Sequence, residues 1–347
     1  MSDAKTDARM LVSCVIPCYK SSETIQAVLE ELETTLETRP DEFDYEVICV
    51  NDGSPDGGAT IAKLRELAKT DNHLVVVNLA HNFGQHSAIM AGFHQVHGDI
   101  VVCLDDDGQT PPNEVYKLID KVVEGYDIAY ASYGHAKRHA AWRNLGSRFN
   151  GMTARKYMKI PSDLEVTSYF ACKRFVVDSA AAYPNPYPFV EGLLFQAVDT
   201  YCNVPVHHRA RMVGESGYDL HKLVSLWSNG VTAFSVKPLR IATWAGFICA
   251  LIGLIAVIVL IVQKLTTPDI SEGWTSLMAV ILIMSGLIMM TLGIVGEYVG
   301  RIYISLNKIP QFVVRETIDP RAAVDVSGAA AHADEGAPAQ VSTDDKR

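Results

Sequence analysis

The chain has 347 residues, a formal net charge of −10 at pH 7, and 48% hydrophobic residues beside 20% charged residues. The acidic balance argues against a broad nucleic-acid surface, because affinity for a polyphosphate backbone depends on clustered Lys and Arg. We therefore expect no nucleic-acid partner. Seven cysteines are scattered without a CxxC or metal-ligand spacing, which predicts reduced, packed thiols and excludes a disulfide framework.

From Leu11 onward, short β-branched runs alternate with amphipathic helical stretches. The strand-like runs are LVSCVIP, EVICVND, LVVVNLA and DIVVCLDDD, and the helical stretches are 24–38, 59–70 and 86–97. This alternation predicts repeated βαβ units, and hence a mostly parallel α/β sheet with helices on both faces. In such a sheet the ligand binds beyond the carboxyl ends of the strands. Polar residues follow four of these predicted strands: Tyr19, Asn51 to Gly53, His81 to Gly84, and Asp105 to Asp107.

The first acidic turn, VNDGSPDGG, follows the second predicted strand. Asp52 in this turn is suited to accept hydrogen bonds from a base or a ribose, although a plain strand-to-helix turn is the alternative. The sequence contains neither a GxxxxGK[ST] phosphate loop nor a GxGxxG fingerprint. The nucleotide sites that those motifs form are therefore excluded.

Three consecutive carboxylates, Asp105, Asp106 and Asp107, end the fourth predicted strand in the run CLDDDGQ. Hard oxygen ligands suit Mg²⁺ or Mn²⁺, which typically takes one or two carboxylates and fills its other positions with phosphates and water. The run therefore predicts a nucleotide-diphosphate site with a divalent cation. A solvated acidic turn is the alternative, since TPP follows directly.

Two segments in the last third, 241–263 and 274–296, contain no Asp, Glu, Lys or Arg. Each has about the ~20 residues that a helix needs to span a bilayer. A buried helical hairpin is the alternative, but burying both helices on every side needs a larger protein. The N-terminus lacks the apolar core of a signal peptide. Basic residues flank the two segments and, by the positive-inside rule, place both termini in the cytoplasm: Lys237, Arg240, Arg301, Lys308 and Arg315.

Six fragments and their order resemble the polyprenyl-phosphate glycosyltransferases of the GT-A, family-2 type. The fragments are VIPCYKSSETI, VNDGSPDGG, NFGQHSAIMAGF, GDIVVCLDDDGQTPP, VPVHHRARMVGESGY and the paired apolar segments that end in GEYVGRIY. The similarity covers residues 11–315 and is greatest to the undecaprenyl-phosphate 4-deoxy-4-formamido-L-arabinose transferases. It extends to lipid-phosphate glucosyltransferases and dolichyl-phosphate mannose synthases.

The resemblance implies a Rossmann-like GT-A fold followed by two transmembrane helices. The implied division is an N-terminal extension (1–10), a cytoplasmic catalytic domain (11–217), a juxtamembrane interfacial segment (218–240), a first span (241–263), an extracytoplasmic loop (264–273), a second span (274–298), a cytoplasmic segment (299–321) and a disordered tail (322–347). Close approach of small residues in the spans would permit homo-oligomers, with lipid-facing glycines as the alternative: Gly246, Gly253, Gly286 and Gly293.

The resemblance also implies roles for residues on the donor side. Asp105 and Asp107 are similar to the family's D-x-D pair and would hold Mg²⁺ or Mn²⁺ with the donor diphosphate, beside Asp106, while Gln109 would face the sugar or the metal. The nucleoside pocket would be lined by Pro17, Tyr19 and Asp52. A helix N-terminus suited to the diphosphate or to sugar hydroxyls would carry Asn82, Gly84, Gln85 and His86, the last of which is alternatively a polar cap.

On the acceptor side, Arg211 and Ser216 match an R-x-x-G-E-S-x-Y segment and would bind a lipid phosphate or the donor diphosphate. The alternative for Arg211 is a surface pair with Glu215. Asp163 fills the place of an acidic residue near the acceptor after a one-residue shift. Gly108 and Asn51 depart from the D-A-D-L-Q and D-D-G-S patterns of relatives, which leaves the sugar open.

These implications predict an inverting transfer from a nucleotide sugar to undecaprenyl phosphate at the cytoplasmic face of a bacterial inner membrane. UDP is the first choice for the nucleotide. A phosphate monoester is largely dianionic at neutral pH because its second pKa is about 6, so Asp163 would orient rather than deprotonate. Asp163→Asn should then lose less activity than Asp107→Asn. Truncation before Tyr218 should keep nucleotide binding and lose transfer to lipid. The alternatives are an inactive nucleotide-sugar-binding membrane scaffold and a dolichyl-phosphate mannose synthase-like enzyme that uses GDP-mannose.

Overall fold

The computed structural model describes residues 9–133, 161, 164–207, 209, 273–307 and 309–321, with scattered positions between 243 and 266. These residues fall into two compact units. The α/β unit comprises the described residues of 9–209 and 310–321, and the second unit comprises those of 243–309. Residues far apart in the sequence therefore share the α/β unit.

The elements of the α/β unit follow the predicted alternation of strands and helices. The strands are β1 (Met10–Cys18), β2 (Phe43–Asn51), β3 (Leu74–Leu79), β4 (Ile100–Cys103), β5 (Ile128–Ser132), β6 (Phe170–Lys173), β7 (Tyr201–Pro205) and β8 (Val314–Ile318). The helices are α1 (Ile25–Leu36), α2 (Ala59–Leu67), α3 (Gln85–Phe93), α4 (Val115–Val123), α5 (Arg174–Ala181) and α6 (Val190–Ala197). The four strands and three helices predicted from the sequence up to residue 107 are confirmed.

The strands form one sheet in the order β7-β5-β6-β4-β1-β2-β3-β8. β6 is antiparallel to β4 and β5, and β8 is antiparallel to β3, whereas the other neighbours are parallel. The predicted mostly parallel sheet is therefore confirmed. Strand order reverses between β4 and β1, and in open α/β sheets a reversal of this kind opens a ligand crevice beyond the carboxyl ends of the strands.

Apolar residues on both faces of the central strands explain why the sheet is covered by two layers of helices. Successive side chains of a strand point to opposite faces: Cys14 belongs to the core cluster that includes residues of α1, α2 and α4, while Val15 faces α3. A Cβ at Gly92 of α3 would lie 2.5 Å from Val15 Cγ1, so only glycine permits this close approach. The described cysteines are free, as predicted: Cys14, Cys18, Cys49, Cys103, Cys172 and Cys202.

β1 extends further than β4 toward the carboxyl edge of the sheet. β1 pairs with β2 as far as Cys18 but with β4 only from Val12 to Val15. The Val15 carbonyl still accepts a hydrogen bond from Leu104 N–H at 3.2 Å. Pro17 lies two residues further along and faces the same side, where its missing N–H costs no ladder hydrogen bond.

β8 comes from the segment that follows the apolar helix in sequence, and the sequence analysis did not foresee it. This strand pairs with β3, with Asn78 opposite Glu316. Just beyond the end of β3, Ala80 N–H donates to the Val313 carbonyl at 2.8 Å, and Arg315 Nη2 donates to the Ala80 carbonyl at 2.9 Å. β8 thereby covers an edge that would otherwise present unpaired backbone groups.

A buried ion pair joins the same segment to the opposite end of the sheet. Glu46 on β2 is 1% exposed, and it pairs with Arg321, just after β8. Its carboxylate also accepts hydrogen bonds from Ser13 Oγ and His97 N–H, each at 2.6 Å. Burial raises the pKa of Glu46, but these bonds and Arg321 outweigh it and lower the pKa. The charge of Glu46 is thus neutralised by a residue that follows it by 275 positions.

The second unit contains α7 (Trp274–Leu306), a helix of 33 residues. Its segment Ile283–Gly300 has a mean hydropathy of 1.5. Among the described residues, α7 is the one helix that is long enough and apolar enough to cross a membrane. The described positions of the other predicted span, 241–263, are helical. The second predicted span, 274–298, has the same first residue as α7, but the helix continues to Leu306.

Candidate active site

Polar residues from β1, β2, β3 and β4 meet at the carboxyl edge of the sheet, as the sequence predicted. Asp106 Oδ2 accepts a hydrogen bond from Tyr19 N–H at 2.9 Å, which joins the turn after β4 to the turn after β1. Asp52 joins the turn after β2 to the turn after β3. Four strand ends therefore line one crevice.

Asp52 is held by the loop that leads from β3 into α3. Its buried carboxylate accepts hydrogen bonds from Phe83 N–H at 2.7 Å and Gly84 N–H at 2.9 Å. Asn82 Nδ2 donates to the same carboxylate at 3.0 Å. Burial raises the pKa of Asp52, against the lowering effect of the two backbone donors. Asp52 thus orders the predicted helix-entry loop, and the position of this loop depends on its charge.

Gly53 explains why this loop lies so close to the turn after β2. A Cβ at Gly53 would lie 2.2 Å from the His81 carbonyl carbon, and the φ angle of Gly53 is +52°. A side chain at this position would therefore meet backbone atoms that cannot move aside, in a conformation that L-residues rarely adopt. Glycine alone allows Asp52 to reach the amides of the next loop.

Asp105 lies deepest of the three consecutive carboxylates. Its carboxylate accepts hydrogen bonds from Ser168 Oγ at 2.5 Å and from Gln85 Nε2 at 3.0 Å. Burial raises the pKa of Asp105 to about 6; the charges of Asp107 and Asp106 also raise it, whereas Ser168 and Gln85 lower it. Both of these partners are neutral side chains.

The other two carboxylates have separate local partners. Asp106 is turned toward β1, and burial raises its pKa against the Tyr19 hydrogen bond. Asp107 Oδ1 accepts a hydrogen bond from Gln109 N–H at 3.0 Å, which shapes the turn. The side chain of Asp106 is thereby directed toward β1, whereas Asp107 bonds within its own turn.

The donor set suits a divalent cation only together with a ligand. Within the described ranges, no group of three or more His, Cys, Asp or Glu side chains is arranged to hold a metal. Mg²⁺ or Mn²⁺ commonly uses one or two carboxylates and completes its shell with phosphate and water. Asp105 and Asp107 therefore stay the predicted pair for such a cation.

His86 lies at the start of α3 beside Glu191, which the sequence analysis missed. His86 Nδ1 and Glu191 Oε2 are 3.5 Å apart, and the His86 ring packs against Phe189 with centroids 5.3 Å apart. Neither atom has a hydrogen-bond partner among the described residues, although both are buried. His86 directly follows Gln85, whose side chain donates a hydrogen bond to Asp105. The two buried atoms therefore face each other as a pair.

The remaining predicted site residues divide into two groups. Tyr19 is 47% exposed, whereas Pro17 is buried in β1. Gln109 accepts a backbone hydrogen bond from Arg209 N–H at 3.2 Å. Outside the described residues lie Asp163, Arg211 and Ser216. The acceptor side of the prediction therefore remains a prediction.

The fold places the chain among the doubly wound α/β proteins that bind a ligand at a switch point. Residues 13–180 match glycosyl transferase family 2, and residues 237–302 match the GtrB C-terminal hairpin. The uncharacterised glycosyltransferase YkcC of Bacillus subtilis (strain 168) is 31% identical over 314 residues, which are 88% of this chain and 93% of that protein. The chain belongs to glycosyl transferase family 2, and it is a glycosyltransferase that uses a nucleotide-sugar donor.

A more distant similarity is found among solved structures. Glucosyl-3-phosphoglycerate synthase from Mycobacterium tuberculosis, crystallised with Mn²⁺, uridine diphosphate and phosphoglyceric acid, is 18% identical. The alignment covers 64% of this chain and 76% of that protein, with a TM-score of 0.46. A similarity at this level carries no argument about the ligands of the present chain.

Proposed function

We propose that this glycosyltransferase moves a sugar, with inversion, from a nucleotide diphosphate sugar to the phosphate of a polyprenyl lipid. UDP is the favoured nucleotide and undecaprenyl phosphate the favoured acceptor, on the sequence resemblance. The observation that carries the proposal is the convergence of Asp52 and Asp105 at the switch-point crevice of a chain that also carries a GtrB-type hairpin.

The donor would lie along the four strand ends. Tyr19 and Asp52 would contact the nucleoside, and the α3 N-terminus would face the diphosphate or the sugar. Asp105 and Asp107 would hold Mg²⁺ or Mn²⁺, which when bound offsets the negative charge of the departing nucleoside diphosphate. His86 and Glu191, which lie together at the start of α3, would contact sugar hydroxyls.

The acceptor phosphate needs little help to act as a nucleophile. Since its second pKa is about 6, it is already mainly dianionic at neutral pH. The chain therefore has to position this oxygen opposite the leaving diphosphate rather than remove a proton from it. Arg211 and Ser216 would bind the acceptor phosphate, and Asp163 would orient the sugar or the phosphate.

We propose two membrane crossings, and the position of β8 supports an even number if the hairpin lies in a bilayer. β8 pairs with β3 in the same sheet as β1 to β7, so residues 314–318 must lie on the same side of the membrane as the catalytic residues. An even number of crossings must then separate residue 209 from residue 310. α7 supplies one, and the segment 241–263 is our proposal for the other, with both termini in the cytoplasm of a bacterial inner membrane.

Two alternative functions would give different results in an assay of nucleotide release. An inactive membrane scaffold would bind the nucleotide sugar without turnover, and a dolichyl-phosphate mannose synthase-like enzyme would consume GDP-mannose. The retained carboxylates of the crevice, Asp105 and Asp107, favour an active enzyme over a scaffold.

The test is nucleotide release by the purified full-length protein with Mn²⁺, undecaprenyl phosphate and a panel of UDP-, GDP- and dTDP-sugars. We expect UDP release that depends on the lipid and is reduced at least about a hundred-fold by Asp107→Asn, the scale of losing a main electrostatic group at the reacting centre. Asp178→Asn on α5, outside the crevice, is the matched control. Donor binding without release would favour the scaffold, and release from GDP-mannose alone would favour the mannose enzyme.

A further inference from the structure

A continuous series of hydrogen bonds between side chains crosses the carboxyl edge of the sheet from β8 to the turn after β1. Asn78 Nδ2 on β3 donates to Glu316 Oε1 on β8 at 2.9 Å. Asn51 Nδ2 on β2 donates to Asn78 Oδ1 at 2.8 Å, and Ser54 Oγ donates to Asn51 Oδ1 at 2.7 Å. Lys20 N–H donates to Ser54 Oγ at 3.1 Å. We call these five residues the amide relay.

The direction of the relay is set by Glu316. An ionised carboxylate only accepts hydrogen bonds, so Asn78 must present its NH₂ group to Glu316 and its oxygen to Asn51. Asn51 must then present its oxygen to Ser54, whose hydroxyl proton points to Asn51 and whose lone pair accepts Lys20 N–H. Asn51 and Asn78 are 4% and 5% exposed, so water does not provide an alternative partner.

Glu316 is kept ionised by its surroundings. Arg65 on α2 pairs with the same carboxylate oxygen that accepts the Asn78 hydrogen bond. The hydrogen bond from Arg65, followed by that from Asn78, lowers the pKa of Glu316. The residue therefore stays an acceptor throughout the neutral pH range.

The far end of the relay fixes the backbone beside Tyr19. Lys20 has a φ angle of +58°, in the left-handed region that costs a non-glycine residue of order 1–3 kcal/mol. Two hydrogen bonds hold this turn: Lys20 N–H to Ser54, and Tyr19 N–H to Asp106 at 2.9 Å. The exposed Tyr19 side chain is thus aimed by a backbone conformation that the relay helps to maintain.

We infer that Glu316, on the strand that follows the apolar hairpin in sequence, is a positioning residue for the nucleoside end of the donor site. This inference rests on the proposed function, because it takes Tyr19 as part of the nucleoside pocket. Glu316 acts through three other side chains and the Lys20 N–H group, and it touches no substrate. The post-hairpin segment would thereby contribute to donor affinity and leave the chemical step unchanged.

The experiment compares full-length variants for UDP affinity by calorimetry and for donor KM and kcat. Glu316→Met removes the acceptor and keeps the side-chain length, and Ser54→Ala interrupts the relay at its other end. Each should weaken UDP binding and raise donor KM roughly ten-fold, as expected when a buried polar group loses its partner, with kcat within about two-fold. Glu316→Gln retains an acceptor oxygen and should restore most of the affinity.

The double variant Glu316→Met/Ser54→Ala should bind UDP no more weakly than the worse single variant, because both act on one network. Asp178→Asn, which breaks the Arg174–Asp178 pair on α5 (2.7 Å), should leave affinity unchanged. Wild-type UDP affinity in both Glu316→Met and Ser54→Ala would overturn the inference and leave the proposed function intact. Absence of binding of any nucleoside diphosphate to the wild-type protein would overturn both.

Discussion

At the scale of single residues, Asp105 is the group whose ionisation the fold opposes most clearly in the crevice. Burial and two neighbouring carboxyl groups raise its pKa to about 6, from 3.8. When the pKa of a carboxyl group is higher in the folded than in the unfolded state, the group does not lower the free energy of unfolding below pH ~4, because it is protonated in both states. As the pH rises through about 6 the folded protein must carry the unfavourable charge. Ionised Asp105 therefore destabilises the metal-free fold at neutral pH.

Asp105→Asn should remove this cost. In chelator-treated protein, the free energy of unfolding of the variant relative to wild type should increase between about pH 4 and pH 7 by on the order of 1–3 kcal/mol. Mn²⁺ should stabilise wild type above about pH 6, where Asp105 is ionised, and leave the variant unaffected. Denaturant unfolding across this pH range, with and without Mn²⁺, measures both effects.

Asp127 offers a control of opposite sign. Although burial opposes it, hydrogen bonds from Lys173 and from Thr200 and Asp199 N–H groups lower the pKa of Asp127 to about 2. Its favourable contribution is therefore complete above about pH 4, and the stability difference between wild type and Asp127→Asn should stay flat from there to pH 7. An Asp105→Asn difference that is equally flat would contradict the raised pKa.

At the scale of secondary-structure elements, β8 shows how far the sequence could be interpreted by itself. β1 to β4 were predictable because each is a continuous apolar run that ends in polar residues, which is the pattern of a strand buried on both faces. β8 carries Arg315 and Glu316 within five residues, and its partner β3 is remote in the chain. Its stability comes from pairing and from ion pairs rather than from any local pattern, so no window of sequence reveals it.

Some residues of the candidate site could be predicted from the sequence, and others could not. Asp52, Asp105 and Asp107 were predictable because acidic residues at strand ends carry a local signal. Ser168 and Glu191 were missed because each is important only through a tertiary contact, with Asp105 and His86 respectively. Residues brought to a site by packing leave no spacing in the sequence.

β8 also changes the expected result of truncating the chain. Truncation before Tyr218 was expected to spare nucleotide binding, but it would remove the partner of β3 and leave Glu46 without Arg321. Two stop codons in the full chain separate these effects. Ending after Arg321 should leave the melting temperature and UDP affinity unchanged. Ending after Ile309 should lower stability by several kcal/mol, the scale of stranding a buried charge, and weaken UDP binding.

Arg321→Met distinguishes the ion pair from the strand. It keeps β8 and removes the cation from Glu46, so we expect a loss of roughly 1–3 kcal/mol, discounted because Arg321 is partly exposed. UDP affinity should be unchanged, since Glu46 lies at the opposite end of the sheet from the crevice. A stop after Ile309 that costs no stability, measured by thermal melting in detergent, would show that β8 does not pair as described.

At the scale of the whole molecule, the sheet constrains the path of the chain through a membrane. A strand that returns to the sheet permits only an even number of crossings between residue 209 and residue 310. A fluorescent protein fused after Arg347 should therefore be folded in the cytoplasm, and alkaline phosphatase inserted within 264–273 should be active outside it. A carbonate wash should leave the untagged protein in the membrane fraction.

The opposite reporter pattern would be informative. A fluorescent protein after Arg347 that stays dark, with alkaline phosphatase active at the same position, would place the C-terminus outside the cytoplasm and contradict the proposed orientation. Activity of neither phosphatase fusion would instead indicate that the apolar hairpin does not cross the bilayer.

The late position of β8 in the chain also determines when the sheet is completed during synthesis. β3 ends at Leu79 and β8 begins at Val314, so residues 80–313 are translated while this sheet edge has no partner. The hairpin of residues 237–302 leaves the ribosome before β8 does. In the proposed arrangement the hairpin can therefore reach the bilayer before the strand that carries Glu316 completes the sheet.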